Sequence, residues 1–299
     1  MKKGIRIIFI VIICIISEYG LTQNENTQVQ IPLNFGFPKS VLPELNERDA
    51  KAAIKVWTED VIETKQYNYK TGFFIYQDVN TLIQALIEGQ INIAPLPPID
   101  YIEQSKIFTL YPAVCAKITE SVLDRFVLLV RKDSQFTRIQ DLENRSLLLK
   151  QDSPQSVLDT WLEVMLNESG LPRSDRFFSK IVRKERENQL IFPLLLKQAD
   201  CCIMAMSAFH TMSELNPQLN IQLIHLVTSD SLLASNIFIY TEQLDKTVRN
   251  DVTTFALNWE KSKATEQIQT IFRFNELVPY KDKYMENIRS LLERYNRIQ

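Results

Sequence analysis

The chain has 299 residues, a formal net charge of -2 at pH 7, 45% hydrophobic residues and 23% charged residues. This composition is globular and excludes disordered and collagen-like classes, while the length exceeds what one hydrophobic core usually organises, so we expect two lobes. A net charge so close to zero provides no field that would attract nucleic acid or an anionic membrane surface, and we expect no nucleic-acid partner.

The first residues have the pattern of an export signal. A basic stretch that ends at Arg6 precedes ten apolar residues over 7–16, and polar residues follow. This run is too short to cross a bilayer as a permanent helix. A signal peptide over residues 1–22 and export to the periplasm are therefore predicted. An uncleaved anchor that tethers the protein to the membrane, or a buried strand, stays open because no pair of small residues marks a cleavage site.

The cysteines indicate neither a disulfide framework nor a metal site. One lies in the leader, and the others are Cys115, Cys201 and Cys202. An odd number with two adjacent members does not suit disulfide pairing, and an apolar run around 201–204 is typical of a buried strand. Since the chain has only two histidines, we expect no metal site.

Strand-like and helix-like stretches alternate from residue 30, as in α/β proteins. An amphipathic helix is predicted over 47–64, and its buried face would comprise Ala52, Ala53, Val56, Trp57 and Ile62. Asp78 can cap a further helix that runs through Leu86 and stops near Gly89. Strands are predicted over 31–37, 71–76 and 91–96.

A second block begins with the continuous apolar stretch 126–130, which is typical of a strand buried on both faces of a parallel sheet. A short turn is predicted over 139–142, and a helix over 157–168 that ends at Gly170 and Pro172. Further strands are predicted over 147–149, 180–182, 201–204, 221–226 and 236–240, and further helices over 188–197, 246–261 and 281–295.

Motifs for catalysis or cofactor binding are lacking in the sequence. With six glycines in the whole chain, there is no phosphate loop or dinucleotide fingerprint, and neither histidine lies in a nucleophile or metal motif. We therefore expect no cofactor and no enzymatic activity.

Three segments carry motifs in an informative order. Residues 78–101 contain a predicted helix, a predicted strand and the corner Pro97-Pro98-Ile99-Asp100-Tyr101. They resemble a known pattern that consists of a helix, a G-x-V-D-I-A strand and a G-P-x-x-Y corner. Residues 126–156 resemble a "V-R-x-D-S … L-x-D-L" run, and residues 272–289 resemble a closing "F … Y … R" helix. Together the segments resemble the phosphate/phosphonate-type family of periplasmic substrate-binding proteins.

This resemblance implies an α/β, two-lobed type II periplasmic-binding-protein-like fold with crossover hinge strands. The first lobe would contain residues 28–122 and 233–299, and the second lobe residues 123–232. A small-molecule ligand would bind in the cleft between the lobes, which would close by hinge rotation. The resemblance also implies delivery of the ligand to an ABC permease at the inner membrane. We expect the protein to be a monomer.

The segment Ser153-Pro154-Gln155-Ser156 is the candidate anion site. It precedes a predicted helix, so hydroxyl and amide groups lie beside backbone N–H groups that a helix start leaves unpaired. In the family, the matching segment holds the anionic head group. From the residues alone, the alternative is that Ser153 merely caps the helix.

The sequence departs from the family at three positions. The family's tyrosine and glycine fall on Val79 and Val157, and its histidine falls near Glu187. A carboxylate at 187 would repel a dianion, which favours a ligand that is less charged, zwitterionic, or larger and more apolar. A shifted loop could instead supply a cation from Arg183, Lys184 or Arg186.

Further cleft candidates lie at predicted strand ends and turns, where core packing is the alternative for each. They are Phe37, Tyr76, Leu96, Tyr101, Met206 and Ser207. Two other functions stay open, namely an enzyme on the same fold, with Glu187 as its acid or base, and a ligand-sensing domain of a signalling system.

Overall fold

The computed structural model describes residues 30–39, 48, 51–52, 54–56, 58, 68–118, 120–151, 156–233, 235–258, 263–272 and 274–299. The predicted leader over 1–22 lies outside this part of the chain. No helix within it is both long and apolar enough to cross a membrane.

The strands are β1 Ile31–Pro38, β2 Tyr69–Tyr76, β3 Ile93–Leu96, β4 Leu110–Lys117, β5 Leu123–Asp124, β6 Phe126–Arg131, β7 Ser146–Lys150, β8 Lys180–Lys184, β9 Cys201–Ala205, β10 Leu223–Thr228, β11 Leu232–Leu233, β12 Ile237–Thr241 and β13 Glu276–Pro279. The helices are α1 Val79–Ile87, α2 Pro98–Gln104, α3 Val157–Glu168, α4 Ser174–Phe177, α5 Asn188–Leu195, α6 Met206–Leu215, α7 Gln218–Gln222, α8 Lys246–Leu257, α9 Lys263–Phe272 and α10 Glu286–Asn296.

Two sheets form the two lobes. In the first lobe the strand order is β13-β4-β12-β3-β1-β2, and in the second lobe it is β10-β6-β9-β7-β8. Between them, β5 and β11 form a two-stranded antiparallel ladder in which Leu123 is opposite Leu233. The predicted two-lobed α/β fold with crossover strands is confirmed, while the exact lobe bounds at 122/123 and 232/233 stay a prediction.

The apolar strand β6 differs from the expectation in direction. Its residues Val127 to Val130 are fully buried on both faces, as predicted. However, β6 runs antiparallel to both of its neighbours, β9 and β10. Because β6 directly follows the crossover β5, the chain enters the sheet from the edge at which the parallel strands β7, β8 and β9 end.

The described residues between Arg48 and Thr58 are helical, in agreement with the predicted helix. Ile54 is buried and contributes to an apolar cluster on the first sheet. Ala52 and Val56 are exposed, so the predicted buried face is wrong at these positions. Residues two apart point to different sides of a helix, and Ile54 faces the sheet. The other members, Ala53, Trp57 and Ile62, lie outside the described side chains.

Near the C-terminus the helices are divided differently from the prediction. The helix expected over 246–261 ends at Leu257, and the separate helix α9 follows it. The helix expected over 281–295 begins only at Glu286, because Asp282–Met285 forms a 3-10 turn.

The C-terminal helix α10 connects the lobes. It packs against α3 of the second lobe and α2 of the first. One apolar cluster contains Leu96 of β3, Leu128 of β6 and Leu291 of α10. Since a single cluster includes side chains from both sheets, α10 joins the two hydrophobic cores on the side of the crossovers.

The three described cysteines are buried and free. Burial raises the pKa of the Cys115 thiol to about 12, and it also raises the pKa of Cys201 and Cys202. The buried strand predicted over 201–204 is confirmed as β9. Among the described histidine, cysteine and acidic side chains, no group of three or more could hold a metal ion.

Candidate ligand-binding cleft

The carboxyl ends of the parallel strands in both sheets lie on the side of the crossovers. In the first lobe, Ile237 follows the crossover β11 and is opposite Leu96, the last residue of β3. In the second lobe, Phe126 follows β5 and is opposite Ala205, the last residue of β9. Two such edges therefore face each other across the ladder. In open α/β sheets, ligands bind outside the carboxyl ends of the strands, so this cleft is the candidate site.

The second-lobe edge carries paired charges. Lys150 and Lys184 end the parallel strands β7 and β8 and are opposite each other. The Lys150 Nζ donates to Glu187 Oε1 at 2.5 Å. One residue before the end of β8, Arg183 Nη2 donates to Asp159 Oδ1 at 2.6 Å. The edge that faces the first lobe is therefore lined by two ion pairs.

Ser156 is the N-cap of α3. Its Oγ accepts from the Asp159 backbone N at 3.2 Å and donates to Asp159 Oδ2 at 3.0 Å. The cap is thus Ser156, and the alternative in which Ser153 caps the helix is wrong. Ser153 and Gln155 lie outside the described residues. The role of Ser153, Gln155 and Ser156 in anion binding stays a prediction.

We expect Ser156→Ala to lower the free energy of unfolding by about 1 kcal/mol, because the helix start loses its side-chain acceptor. Ser156→Thr keeps a hydroxyl at the same position and serves as the control. Urea unfolding measures both variants against the wild-type protein. A Ser156→Ala variant as stable as wild type would show that the cap contributes nothing.

At the first-lobe edge, Tyr76 ends β2, and burial together with the nearby Glu88 carboxylate raises the pKa of its phenol. Leu96 and Phe37 are buried in the core instead. The Phe37 ring packs against Phe272 with a centroid distance of 5.1 Å. For these two residues the structure agrees with the core-packing alternative.

Tyr101 belongs to a series of side-chain contacts that stabilises the start of α10. Its ring lies edge-on to Tyr280 with a centroid distance of 5.9 Å, and the Tyr280 hydroxyl donates to Asp282 at 3.0 Å. Arg289 donates to both oxygens of Asp282, at 2.7 and 2.5 Å. Burial and the nearby Tyr101 raise the pKa of Tyr280, and the Arg289 guanidinium lowers that of Asp282.

Ser207 lies at the base of the cleft, where it contacts the crossover. Its Oγ donates to Asp124 Oδ2, and its backbone N donates to Asp124 Oδ1 at 3.3 Å. The Asp124 carboxylate thereby binds the first turn of α6, and the preceding Met206 begins that helix. Ser207 thus ties the end of β9 to the hinge.

Sequence reasoning missed Lys150, Asp159 and Asp124. Lys150 directly follows the predicted strand 147–149, and the rule that ligands bind at strand carboxyl ends would have identified it. Asp159 and Asp124 acquire their roles only through partners distant in the sequence, Arg183 and Ser207.

A separate cavity of about 110 Å³ lies between the first sheet and its helices. Its described walls are mostly aliphatic and aromatic side chains, and the Tyr69 hydroxyl in this wall donates to Asp251 at 3.1 Å. The cleft edge offers cations and hydroxyls, so it is the better candidate for a polar solute.

Comparison with known proteins identifies the family. Residues 40–284 match the family described as "ABC transporter, phosphonate, periplasmic substrate-binding protein". The chain belongs to this family. The resemblance inferred from the three sequence segments is therefore confirmed, and the periplasm is the compartment of this binding protein. No curated protein matches its sequence.

Three solved structures share the fold of the binding protein. A binding-protein component of an ABC phosphonate transporter from Pseudomonas aeruginosa is 15% identical, with a TM-score of 0.61, over 90% of this chain and 87% of that chain. A Xanthomonas citri protein bound to ATP is 11% identical, with a TM-score of 0.66, over 89% and 98%. PhnD1 from Prochlorococcus marinus, in complex with methylphosphonate, is 13% identical, with a TM-score of 0.61, over 89% and 98%.

Proposed function

We propose that this binding protein captures a small solute with an anionic group in the cleft between its lobes and delivers it to an ABC permease in the inner membrane. Family membership and the fold support the transport role. The second-lobe edge supports the anionic group.

The observation that carries the proposal is the charge of this edge. Lys150, Arg183 and Lys184 contribute three positive charges at the ends of β7 and β8, and their partners Asp159 and Glu187 contribute two negative ones. Glu185 and Arg186, which follow β8, add one charge of each sign, so these described side chains together carry one positive charge. A cleft that excludes part of the water strengthens the attraction of such a charge for an anion.

Glu187 was expected to repel a dianion. Its pairing with Lys150 leaves the two side chains without net charge, so the site still admits an anionic head group. The enzyme alternative would require Glu187 as an acid or base, whereas here its carboxylate is held in an ion pair.

Closure follows from the position of the hinge. A ligand that contacts both lobes has a higher affinity for the closed form and shifts the population toward it. The connections that bend are β5 and β11. Among the described strands, these two belong to neither large sheet and pair only with each other.

We expect ligand binding to reduce the radius of gyration. Native mass spectrometry of protein purified from its own cells would identify a retained small molecule, and small-angle scattering would then compare the free and ligand-saturated forms. An unchanged radius at saturation would contradict a hinged receptor.

Genes for a permease and an ATPase beside that of this protein would favour transport, and a membrane kinase gene would favour the sensing alternative.

A further inference from the structure

Resting on the proposed function, we infer that Glu187 determines specificity by competing with the anionic group of the ligand for the ammonium of Lys150. The competition weakens the binding of doubly charged groups more than that of singly charged groups. Glu187 thus acts as an internal anion at the cleft edge.

The geometry places both groups within reach of a ligand. Lys150 ends β7 at the edge that faces the first lobe, and its Nζ lies 2.5 Å from Glu187 Oε1. The side chains of Lys150 and Glu187 are 44% and 30% exposed, so the pair is accessible to a solute. A ligand oxygen can therefore replace the carboxylate without unfolding a helix or strand.

Glu187 immediately precedes α5. The backbone carbonyl of Glu187 accepts from the first turn of α5, but its side chain does not cap this helix. The carboxylate is directed instead to Lys150, which is 37 residues earlier in the chain. Lys150 is opposite Lys184 in the register of β7 and β8, and Glu187 follows Lys184 by three residues. The pairing of these strands therefore brings Lys150 and Glu187 together.

The sign of the effect follows from electrostatics. When the ligand takes the ammonium, Glu187 remains beside the negative charge of the ligand. The resulting repulsion grows in proportion to the ligand charge, so removal of the carboxylate benefits a dianion about twice as much, in free energy, as a monoanion of the same shape.

Methylphosphonate and methanesulfonate are suitable probes, because they have similar shapes and, at alkaline pH, carry two charges and one charge. We expect Glu187→Gln to raise the affinity for methylphosphonate about tenfold and that for methanesulfonate about threefold. Lys150→Met should weaken the binding of both probes. Titration calorimetry measures each affinity, and circular dichroism verifies that each variant is folded.

A matched control lies at the opposite edge of the same sheet. The Lys197 Nζ lies 2.7 Å from Asp133 Oδ2, and Asp133 follows the end of β6 at Arg131, away from the crossovers. Asp133 also pairs with Arg131, at 3.2 Å. Asp133→Asn removes the same charge from an ion-pair cluster away from the crossovers and should leave both affinities unchanged.

Three outcomes would overturn the inference. In the first, Glu187→Gln binds methylphosphonate no tighter than wild type, which would mean that Glu187 only supports Lys150. In the second, Asp133→Asn raises the affinity for both probes as much as Glu187→Gln does, which would mean that the net charge of the protein and not the position of Glu187 causes the effect. In the third, wild type and Glu187→Gln both fail to bind either probe. The proposed function is judged separately, by the retained molecule and the scattering measurement.

Discussion

Replacing Trp161 by Ala is expected to lower the free energy of unfolding by about 3–5 kcal/mol, the cost of deleting a buried indole. Trp161 lies in α3 and is 6% exposed. Its ring packs against Phe126 with a centroid distance of 5.9 Å. Because Phe126 begins β6 directly after the crossover, the indole supports the second lobe at the point where the hinge enters it.

The control for this prediction is Trp161→Phe, which keeps an aromatic contact with Phe126 and should lose much less stability. Urea unfolding is monitored by far-ultraviolet circular dichroism, because indole fluorescence changes when Trp161 is replaced. A Trp161→Ala variant within about 1 kcal/mol of wild type would contradict the assigned packing role.

Leu291→Ala is expected to cost about 2–5 kcal/mol of unfolding free energy. Leu291 is fully buried in α10, within the apolar cluster that contains side chains from both lobes. The loss arises from the transfer of its methyl groups to water and from the cavity that remains, and it should loosen the packing of α10 on α3.

The neighbouring Ser290 is exposed on the same helix, so Ser290→Ala is the matched control and should change stability little. Equal stabilities of Leu291→Ala and Ser290→Ala in urea would show that α10 does not join the two cores.

Features with local signals were predictable from the sequence. Asp78 caps α1 as expected, since the Thr81 backbone N donates to Asp78 Oδ1 at 2.8 Å. The helix ends shortly before Gly89, whose φ of +73° is a conformation that glycine adopts readily. The buried strand β9 was likewise recognisable from its short apolar run.

Features that depend on distant partners were not predictable. The pairing of Lys150 with Glu187 requires the parallel register of β7 and β8, which neither segment specifies alone. Phe37 is the last but one residue of β1, near the correct edge, but its ring packs in the core because Phe272 lies on that face of the sheet. Hydrophobicity alone does not distinguish a cleft residue from a core residue.

The position of the buried thiols gives the protein an internal kinetic reporter. Cys115 lies in β4 of the first lobe, and Cys201 and Cys202 lie in β9 of the second. A thiol reagent attacks the thiolate, and burial suppresses this form in all three residues, so modification proceeds through transient opening of the surrounding sheet. In a variant without the leader cysteine Cys14, labelled peptides are quantified over time at a reagent concentration at which modification outpaces reclosing, and this yields one opening rate for each lobe. Comparing the two rates tells whether α10 makes the lobes open as one cooperative unit or lets each open on its own.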